Sequence, residues 1–319
     1  MDFHGIIFIR ISGRDPWQTI GVRAVSICCC IGHEVLYPIS TRFPADIVNT
    51  ILERSVELSA RQNFMTKQEL FNKADQYKKI IQAARPLKPE EIKELDAYFK
   101  IGLTYSSNAL EGNTLTISET KVLLEDGLTA GGKPLKDSLE AIGHAKAYDF
   151  MLQMVREEPF EITEHIILEL HRLFYEGIDK QNTGKYRDIS VYITGTDYLP
   201  PEPEQVPRLM KEYVHKVNGL SGKVHPIELA ALAHKWLVDI HPYVDGNGRT
   251  ARLLMNLLLM HYGYGIVSIP PVLRVEYIEV LRISQRANQP DAEPFIKLIT
   301  ECTIETQKDY CRLLRIKAN

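Results

Sequence analysis

Two strongly apolar segments, 226–240 and 253–262, are joined by the polar segment 241–252 in the second half of the chain. Their apolar residues recur at helical spacing, and Pro226 suits the first turn of a helix. The second segment is apolar almost all the way round, which is typical of a helix buried at the centre of a bundle. Neither segment has the ~20 apolar residues needed to span a membrane. The pair therefore predicts a helical bundle built around these two helices.

The rest of the chain after residue 64 has the same helical character. Thr66 with Glu69 forms a capping box, and Pro89 with two following glutamates predicts a second helix start. Further helices are predicted at 117–125, 136–156, 163–176, 204–218, 226–240, 249–262, 274–287 and 293–315. One strand-like stretch, 190–196, alternates before Gly195. We therefore expect a mainly α fold, a helical bundle with a short β-hairpin flap.

The first 64 residues differ from the rest of the chain. The segment Ile6–Ile11 is rich in β-branched residues and predicts a strand, but residues 1–64 contain no chemical motif. They form either a small appendage or extra sequence before a second plausible start at Met65, and both interpretations stay open. We divide the chain into an appendage (1–64), an N-terminal helical region (65–135) and a core (136–319).

Composition excludes several classes of protein. The chain has 319 residues with 38 Lys and Arg against 41 Asp and Glu, so it lacks the broad basic surface typical of a nucleic-acid partner. Three of its five cysteines are consecutive at 28–30, a spacing that fits neither a disulfide framework nor a CxxC metal site. The N-terminal apolar run is interrupted at Arg10 and is too short for a secretory signal. We expect a cytoplasmic protein without a membrane partner.

The polar segment 241–252 reads HPYVDGNGRTAR and has the composition of a phosphate site. Gly246 and Gly248 can adopt positive φ, so that successive backbone N–H groups converge on an anion. The helix that follows presents its N-terminus, which also favours phosphate. Arg249 and Arg252 are three residues apart and share a helix face, where two guanidinium groups can hold a polyphosphate.

Two further residues of this segment supply reactive groups. Asp245 is a hard oxygen ligand for a Mg²⁺ ion that also takes phosphate oxygens. His241, with an ordinary pKa near 6.5, suits a general base for a hydroxyl nucleophile. A simple turn between two helices is the alternative interpretation. Two arginines in the first turn of the next helix argue against it, because their charge opposes the helix dipole unless an anion is bound.

These residues carry a resemblance to a known family. The run from His241 to Arg252 resembles the signature of the Fic domain family, HPFx(D/N)GNGRxxR, with Tyr243 in place of phenylalanine. The segment SxxxEG, from Ser107 through Glu111 to Gly112, resembles the inhibitory motif of the same family. The similarity extends over about residues 90–315, and Gly184 with Arg187 resembles a structural GxxR element.

The resemblance implies AMP transfer from ATP to Ser, Thr or Tyr hydroxyls of a target protein, with self-modification also expected. A homodimer is common in such a family, but the sequence shows no interface, and the oligomeric state stays open. It implies a base at His241, Mg²⁺ on Asp245, and adenine contacts from Tyr277 and Asn288. The nucleotide-binding residues it implies are Asp245, Gly246, Asn247, Gly248, Arg249, Thr250, Ala251, Arg252, Tyr277 and Asn288. The flap residues Ile193, Thr194, Gly195 and Thr196 would pin the target peptide by strand addition.

The resemblance also implies inhibition within the molecule. Glu111 follows Ser107 by one helical turn, so the two are expected on one helix face. Glu111 would pair with Arg252 and deny that arginine to the γ-phosphate.

Other functions stay open at this point. The chain could instead remove AMP from a modified protein, use another nucleotide, or act as a nucleotide-switched regulatory binding protein. An intact His241 and Asp245 argue against a pure binding module, which needs neither a base nor a metal ligand. The set His225, His234, Asp239 and His241 lacks HExxH spacing, and we do not expect zinc there.

Overall fold

A computed structural model describes residues 65–84, 86–193 and 196–317 with their side chains, and the backbone of three strands before them. The chain divides into two units, residues 1–66 and 67–319. In the first unit, strands β1 (Ile6–Ile9), β2 (Val25–Cys28) and β3 (Glu34–Tyr37) form an antiparallel sheet in that order. The strand predicted from Ile6 is thus present, while both interpretations of residues 1–64 stay open.

The second unit is helical, which confirms the mainly α prediction. Its helices are α1 (Lys67–Ala83), α2 (Pro89–Ala109), α3 (Ile117–Asp126), α4 (Leu135–Met154), α5 (Glu164–Tyr175), α6 (Val206–Leu220), α7 (Pro226–Ile240), α8 (Asn247–His261), α9 (Arg274–Ser284) and α10 (Glu293–Leu313). Short 3₁₀ turns at Pro203–Gln205 and Pro271–Leu273 precede α6 and α9.

Local sequence signals account for several of these boundaries. The Thr116 side chain accepts from the Glu119 N–H at 3.2 Å, and Glu119 accepts from the Thr116 N–H at 2.7 Å, so a reciprocal capping box begins α3. Gly127 ends the same helix in the left-handed conformation, with φ +70°. Pro89 and Pro226 occupy the first turns of α2 and α7, where a missing N–H costs nothing.

Helix α8 is the centre of the bundle. It packs against α7, α4, α5 and α2, and the side chains of Leu253, Leu254 and Met255 have no exposed surface. Helix α1 packs on α10, and α9 packs on α10 as well. The turn between α7 and α8 therefore lies where α2, α4 and α5 can all reach it.

The predicted flap is not confirmed. Residues 190–193 and 196–200 have no regular secondary structure, and Thr194 and Gly195 lie outside the described residues. Across the part of the chain that the structure describes, no helix combines the length and apolar character needed to cross a membrane.

Candidate active site

His241 ends helix α7 in a left-handed backbone conformation, with φ +50°. Its N–H donates to the Leu237 carbonyl at 2.9 Å, and its Nδ1 donates to the Val238 carbonyl at 3.1 Å. A neutral ring that donates from Nδ1 carries its lone pair on Nε2. Burial lowers the pKa of His241 below its ordinary value, which keeps the ring neutral at pH 7. The ring is therefore in the form that a general base needs.

The loop after His241 is fixed by a stack of buried rings. His171 on α5 lies face to face with Tyr243, with ring centroids 3.7 Å apart. Its Nε2 donates to the Asp245 carbonyl at 3.1 Å, and its Nδ1 accepts from the Gly184 N–H at 3.0 Å. Burial lowers the pKa of His171 to about 4. This neutral histidine ties α5 to the loop.

Asn247 closes the loop from within. Its Oδ1 accepts from the Tyr243 N–H at 2.9 Å and its Nδ2 donates to the Tyr243 carbonyl at 2.9 Å. The Tyr243 hydroxyl donates to the Ile167 carbonyl at 3.2 Å. These bonds satisfy the backbone of a buried turn, so its conformation is well determined.

Arg187 supports the same loop from the other side. The guanidinium is buried, and its Nε donates to the His241 carbonyl at 2.8 Å while its backbone N–H donates to the Pro242 carbonyl at 2.9 Å. The other guanidinium nitrogens donate to the carbonyls of Ile189 and Pro201 at the two ends of the predicted flap. Arg187 thus has the structural role predicted for it.

Asp245 and Gly246 form the turn into α8. Gly246 has φ +84°, and a Cβ there would lie 2.9 Å from Phe174 Cε1, so glycine is needed for both reasons. Asp245 Oδ1 accepts from the Gly246 N–H at 2.6 Å, and Oδ2 faces the Tyr175 hydroxyl at 3.4 Å and Lys136 Nζ at 3.9 Å. The Asp245 side chain is 43% exposed, so a carboxylate oxygen is accessible to a cation. This hard donor fits Mg²⁺, which takes one or two carboxylates beside phosphate oxygens and water.

Arg249 lies buried on the first turn of α8. Its guanidinium packs over the Phe174 ring at 4.4 Å, and Nη1 is 2.7 Å from Glu140 Oε1 on α4. Nη2 donates to Asp245 Oδ1 at 3.3 Å. Arg249 Nε has no acceptor among the described residues, so the group keeps donor capacity for an anion.

Arg252 is the most enclosed cation of the site, with 1% of its surface exposed. Its Nε donates to Ser107 Oγ at 3.0 Å, and its Nη2 donates to the Ser107 carbonyl at 2.7 Å and to Glu111 Oε1 at 2.8 Å. Burial opposes ionisation of Glu111, but the charges of Arg252 and Arg249 prevail and lower the pKa of that carboxyl.

Tyr277 completes the surroundings of Arg252. Its hydroxyl accepts from Arg252 Nη1 at 3.1 Å and donates to His234 Nε2 at 3.0 Å. Burial and the nearby charge of Arg252 both lower the pKa of His234, which therefore stays neutral. The buried tyrosine thus orients Arg252, a contact that the sequence did not predict.

Glu111 lies on a turn after α2, because the helix ends at Ala109. The prediction that Ser107 and Glu111 share a helix face is wrong in this detail, yet both residues contact Arg252. Gly112 has φ +93° and lets the chain leave the turn.

The Glu111 carboxylate also covers the turn into α8. A Cβ at Gly248 would collide with Glu111 Oε1, so the carboxylate lies directly against the backbone of this glycine. It occupies a position beside Arg252 and the start of a helix where a bound anion is favoured.

Among the described residues, some predicted site residues do not contact the phosphate site around Arg249 and Arg252. Asn288 is exposed on the loop between α9 and α10, and within the described part of the chain it makes no polar contact with the site. The side chains of Thr250 and Ala251 are fully buried in α8, so they contribute packing. The described residues contain no group of three or more His, Cys, Asp or Glu side chains placed to hold a metal ion.

Three residues of the site were missed in the sequence, namely His171, Glu140 and Phe174. Each lies on α4 or α5, about 70 to 110 residues before the loop it supports. At such distances in the sequence, the spacing of residues does not indicate which of them are in contact. His171 and Phe174 are three residues apart on α5, so one helix face could have been noticed, but nothing in the sequence indicates what that face contacts.

Comparison with known proteins gives a consistent result. The model of the Fic/DOC family matches residues 161–259, which contain α5 through most of α8. A protein adenylyltransferase Fic of Drosophila grimshawi is 40% identical over 216 residues, covering 67% of this chain and 43% of the relative. That of Drosophila ananassae is 35% identical over 267 residues, covering 83% of this chain and 49% of the relative. The chain thus spans less than half the length of these curated relatives.

Two solved structures extend the similarity to the fold. A Fic domain containing signaling protein from Bacteroides thetaiotaomicron is 31% identical with a TM-score of 0.70, covering 77% of this chain and 99% of that chain. Fic-1 from C. elegans is 28% identical with a TM-score of 0.69, covering 85% of this chain and 78% of that chain. The chain belongs to the Fic/DOC family.

Proposed function

We propose that this chain is a protein adenylyltransferase that moves AMP from ATP to Ser, Thr or Tyr hydroxyls of a target protein and of itself. The observation that carries the proposal is the place of His241, a neutral histidine at the entrance to a turn that contains Asp245, two glycines and two buried arginines. The relatives called protein adenylyltransferase Fic support the same reaction.

The chemistry follows from these positions. His241 Nε2 takes the proton of the target hydroxyl, and the hydroxyl oxygen forms a bond to the α-phosphorus of ATP. The bond from that phosphorus to the oxygen bridging to the β-phosphate breaks, and pyrophosphate leaves. Positioning and charge neutralisation supply most of the rate in such a reaction.

The arginines and Asp245 divide the phosphate groups between them. The N–H groups at the start of α8 and the buried Arg249 hold the α- and β-phosphates, and Arg252 holds the γ-phosphate. Mg²⁺ on Asp245 neutralises phosphate charge when it is bound. Tyr277 is proposed for the adenine side. Asn288 is proposed for the same side, as an exposed residue that makes no polar contact with the phosphate site within the described part of the chain, and residues 193–196 for docking the target peptide through its backbone.

Glu111 holds this enzyme in an inhibited state. Its carboxylate pairs with Arg252 and lies against Gly248, and both contacts are incompatible with a γ-phosphate at Arg252. Because two anions cannot share one buried guanidinium without strong repulsion, ATP binds in a productive way only when Glu111 leaves.

The reaction can be identified with two variants and four nucleotides. Glu111→Gly and Glu111→Gly/His241→Ala proteins are incubated with Mg²⁺ and labelled ATP, CTP, GTP or UTP, and the label on protein is measured by intact mass. We expect the mass of one or more AMP groups on Glu111→Gly with ATP, and none on the double variant. A gain in mass with another nucleotide would identify that nucleotide as the substrate in place of ATP. Label on the double variant would remove His241 from the reaction.

An unlabelled result has its own meaning. If Glu111→Gly gains no mass with any nucleotide, wild type and Glu111→Gly are each given an adenylylated protein, and release of AMP is followed. Release that depends on Glu111 would identify a hydrolase that removes AMP, and the transfer proposal would be wrong.

A further inference from the structure

Arg274, the first residue of α9, reaches the turn that carries Glu111. Its Nε donates to the Leu110 carbonyl at 2.8 Å. Leu110 is the residue immediately before Glu111 and is itself buried. The contact joins two segments 164 residues apart and is not among the contacts that hold His241, Arg249 or Arg252.

The Leu110 carbonyl is a point at which the turn can be held. Carbonyls at the end of a helix lack N–H partners within the helix, and an arginine can satisfy one of them. The N–H groups of Glu111 and Gly112 donate to the carbonyls of Asn108 and Ala109, so the turn is closed on itself on that side. Arg274 supplies the external partner for the peptide unit that leads directly into Glu111.

One face of α9 contacts both Arg252 and the residue immediately before Glu111. Arg274 and Tyr277 are three residues apart and therefore share a helix face. Arg274 holds the backbone before Glu111, and Tyr277 accepts from Arg252 Nη1 at 3.1 Å. Helix α9 thus sets the distance between the turn and the arginine that Glu111 must reach.

The other end of the turn has a separate anchor. Asn113 Nδ2 donates to Glu140 Oε2 at 2.9 Å and to the Asp137 carbonyl at 3.0 Å, both on α4. Glu111 therefore lies between two attachment points, one on α9 and one on α4. Loss of one attachment loosens the turn without detaching it.

We propose that Arg274 is a positioning residue for inhibition, which holds the Leu110 peptide so that the Glu111 carboxylate stays on Arg252. The inference rests on the proposed inhibition by Glu111. It assigns Arg274 no contact with ATP. Removing the Arg274 guanidinium should let Glu111 leave Arg252 more often, and should have no consequence once Glu111 is gone.

The test compares four proteins, wild type, Arg274→Ala, Glu111→Gly and Arg274→Ala/Glu111→Gly. AMP transfer from labelled ATP is measured at one Mg²⁺ concentration. We expect Arg274→Ala to raise transfer about 3- to 10-fold over wild type, the scale of one charge-assisted hydrogen bond shared with other contacts. In the Glu111→Gly background the same change should alter transfer by less than about twofold, because the contact then has nothing to position.

Two controls separate positioning from loss of structure. Arg282→Ala removes another arginine of α9, one in an exposed pair with Glu279, and should leave the wild-type rate unchanged. Arg274→Lys keeps a cationic donor and should return transfer toward the wild-type rate. Amide hydrogen exchange, which needs no activity, should be faster at 110–113 in Arg274→Ala and unchanged in α8.

The outcomes are distinct. Equal losses from Arg274→Ala in both backgrounds would place Arg274 in nucleotide binding and overturn the inference. Unchanged transfer and unchanged exchange at 110–113 would also overturn it. If Glu111→Gly itself gives no gain in transfer, the proposed inhibition by Glu111 is wrong. The exchange rate at 110–113 in Arg274→Ala then still tests whether this arginine holds the turn, and a faster rate would show that it does.

Discussion

The proposed catalytic loop, 241–252, and the 107–114 segment meet at Arg252, but the molecule holds them in different ways. The loop is enclosed by buried groups, with His171 stacked on Tyr243 and Asn247 bonded to both the N–H and the carbonyl of Tyr243. The 107–114 segment ends in a turn whose carboxylate is 36% exposed and whose anchors are individual polar contacts. Dense apolar packing gives the loop one conformation, whereas a few polar contacts can be exchanged for other partners.

This difference has a functional meaning. Catalytic groups must keep their geometry during the reaction, so a rigid support is an advantage. An inhibitory group must leave before the reaction and return afterwards, so its attachment has to be weaker than that of the site it blocks. If the proposed function is right, both requirements are met around Arg252.

The largest effect is expected from His241, the proposed base, in the more tightly held loop 241–252. His241→Asn in the Glu111→Gly background should lower AMP transfer by about 10²- to 10⁴-fold, the usual contribution of a general base. Binding of Mg²⁺-ATP, measured by calorimetry, should change little, because the loop backbone is held by His171 and Arg187. A parallel loss of nucleotide binding would mean that His241 supports the loop and does not act as the base.

Acid should affect the two regions differently. Histidines of the unfolded chain take up protons near pH 6.5, while burial keeps His171 neutral down to about pH 4. Burial also keeps His144 on α4, whose Nδ1 lies 3.1 Å from Thr104 Oγ1, neutral down to about pH 3. Stability should therefore fall as the pH drops below 6.5, by about 2 kcal/mol for each such histidine between pH 6.5 and 5. Urea unfolding at pH 7 and pH 5 measures this loss.

The Glu111–Arg252 pair should survive the same change of pH. The arginines lower the pKa of Glu111, so its stabilising charge is lost only as the pH falls through a value below the usual 4.5. The ratio of transfer rates of Glu111→Gly and wild type should therefore stay constant between pH 5.5 and 8. A ratio that falls toward 1 at pH 5.5 would show that protonation releases Glu111 in this range.

A smaller effect compares two glycines with similar backbones. Gly246 and Gly112 have φ +84° and +93°, but a Cβ at Gly246 would meet the Phe174 ring whereas the space around Gly112 is open. Gly112→Ala should cost only the backbone strain of about 1–2 kcal/mol, and Gly246→Ala should cost about 1–3 kcal/mol more because of the clash. Denaturant unfolding of the two variants measures the difference, and equal losses would mean that the loop is no more tightly packed than the turn.

Local features of the sequence predicted most of the fold. The Pro226 start of α7 and the apolar run of α8 are signals within one helix, and α7 was predicted with the bounds that it has. The residues of segment 241–252 are close in sequence, so their gathering at one turn needed no knowledge of the tertiary fold.

Contacts between distant segments were not predictable in the same way. Glu140 reaches Arg249, and Arg274 reaches Leu110, only because the bundle packs α4 and α9 against the site. The end of α2 at Ala109 was not predicted either, because the spacing of Ser107 and Glu111 alone indicated that one helix carries both residues. Side chains that meet across the bundle have no common period in the sequence.

We infer that the Glu111 carboxylate blocks an anion site at Arg252, and the AMP-transfer rates of three proteins test this inference. Wild type, Glu111→Gly and Glu111→Gln are compared with labelled ATP and Mg²⁺ under identical conditions. We expect a large gain, about tenfold or more, for Glu111→Gly, and a smaller gain for Glu111→Gln, whose neutral amide keeps the shape but loses the ion pair. Equal rates for all three proteins would contradict it.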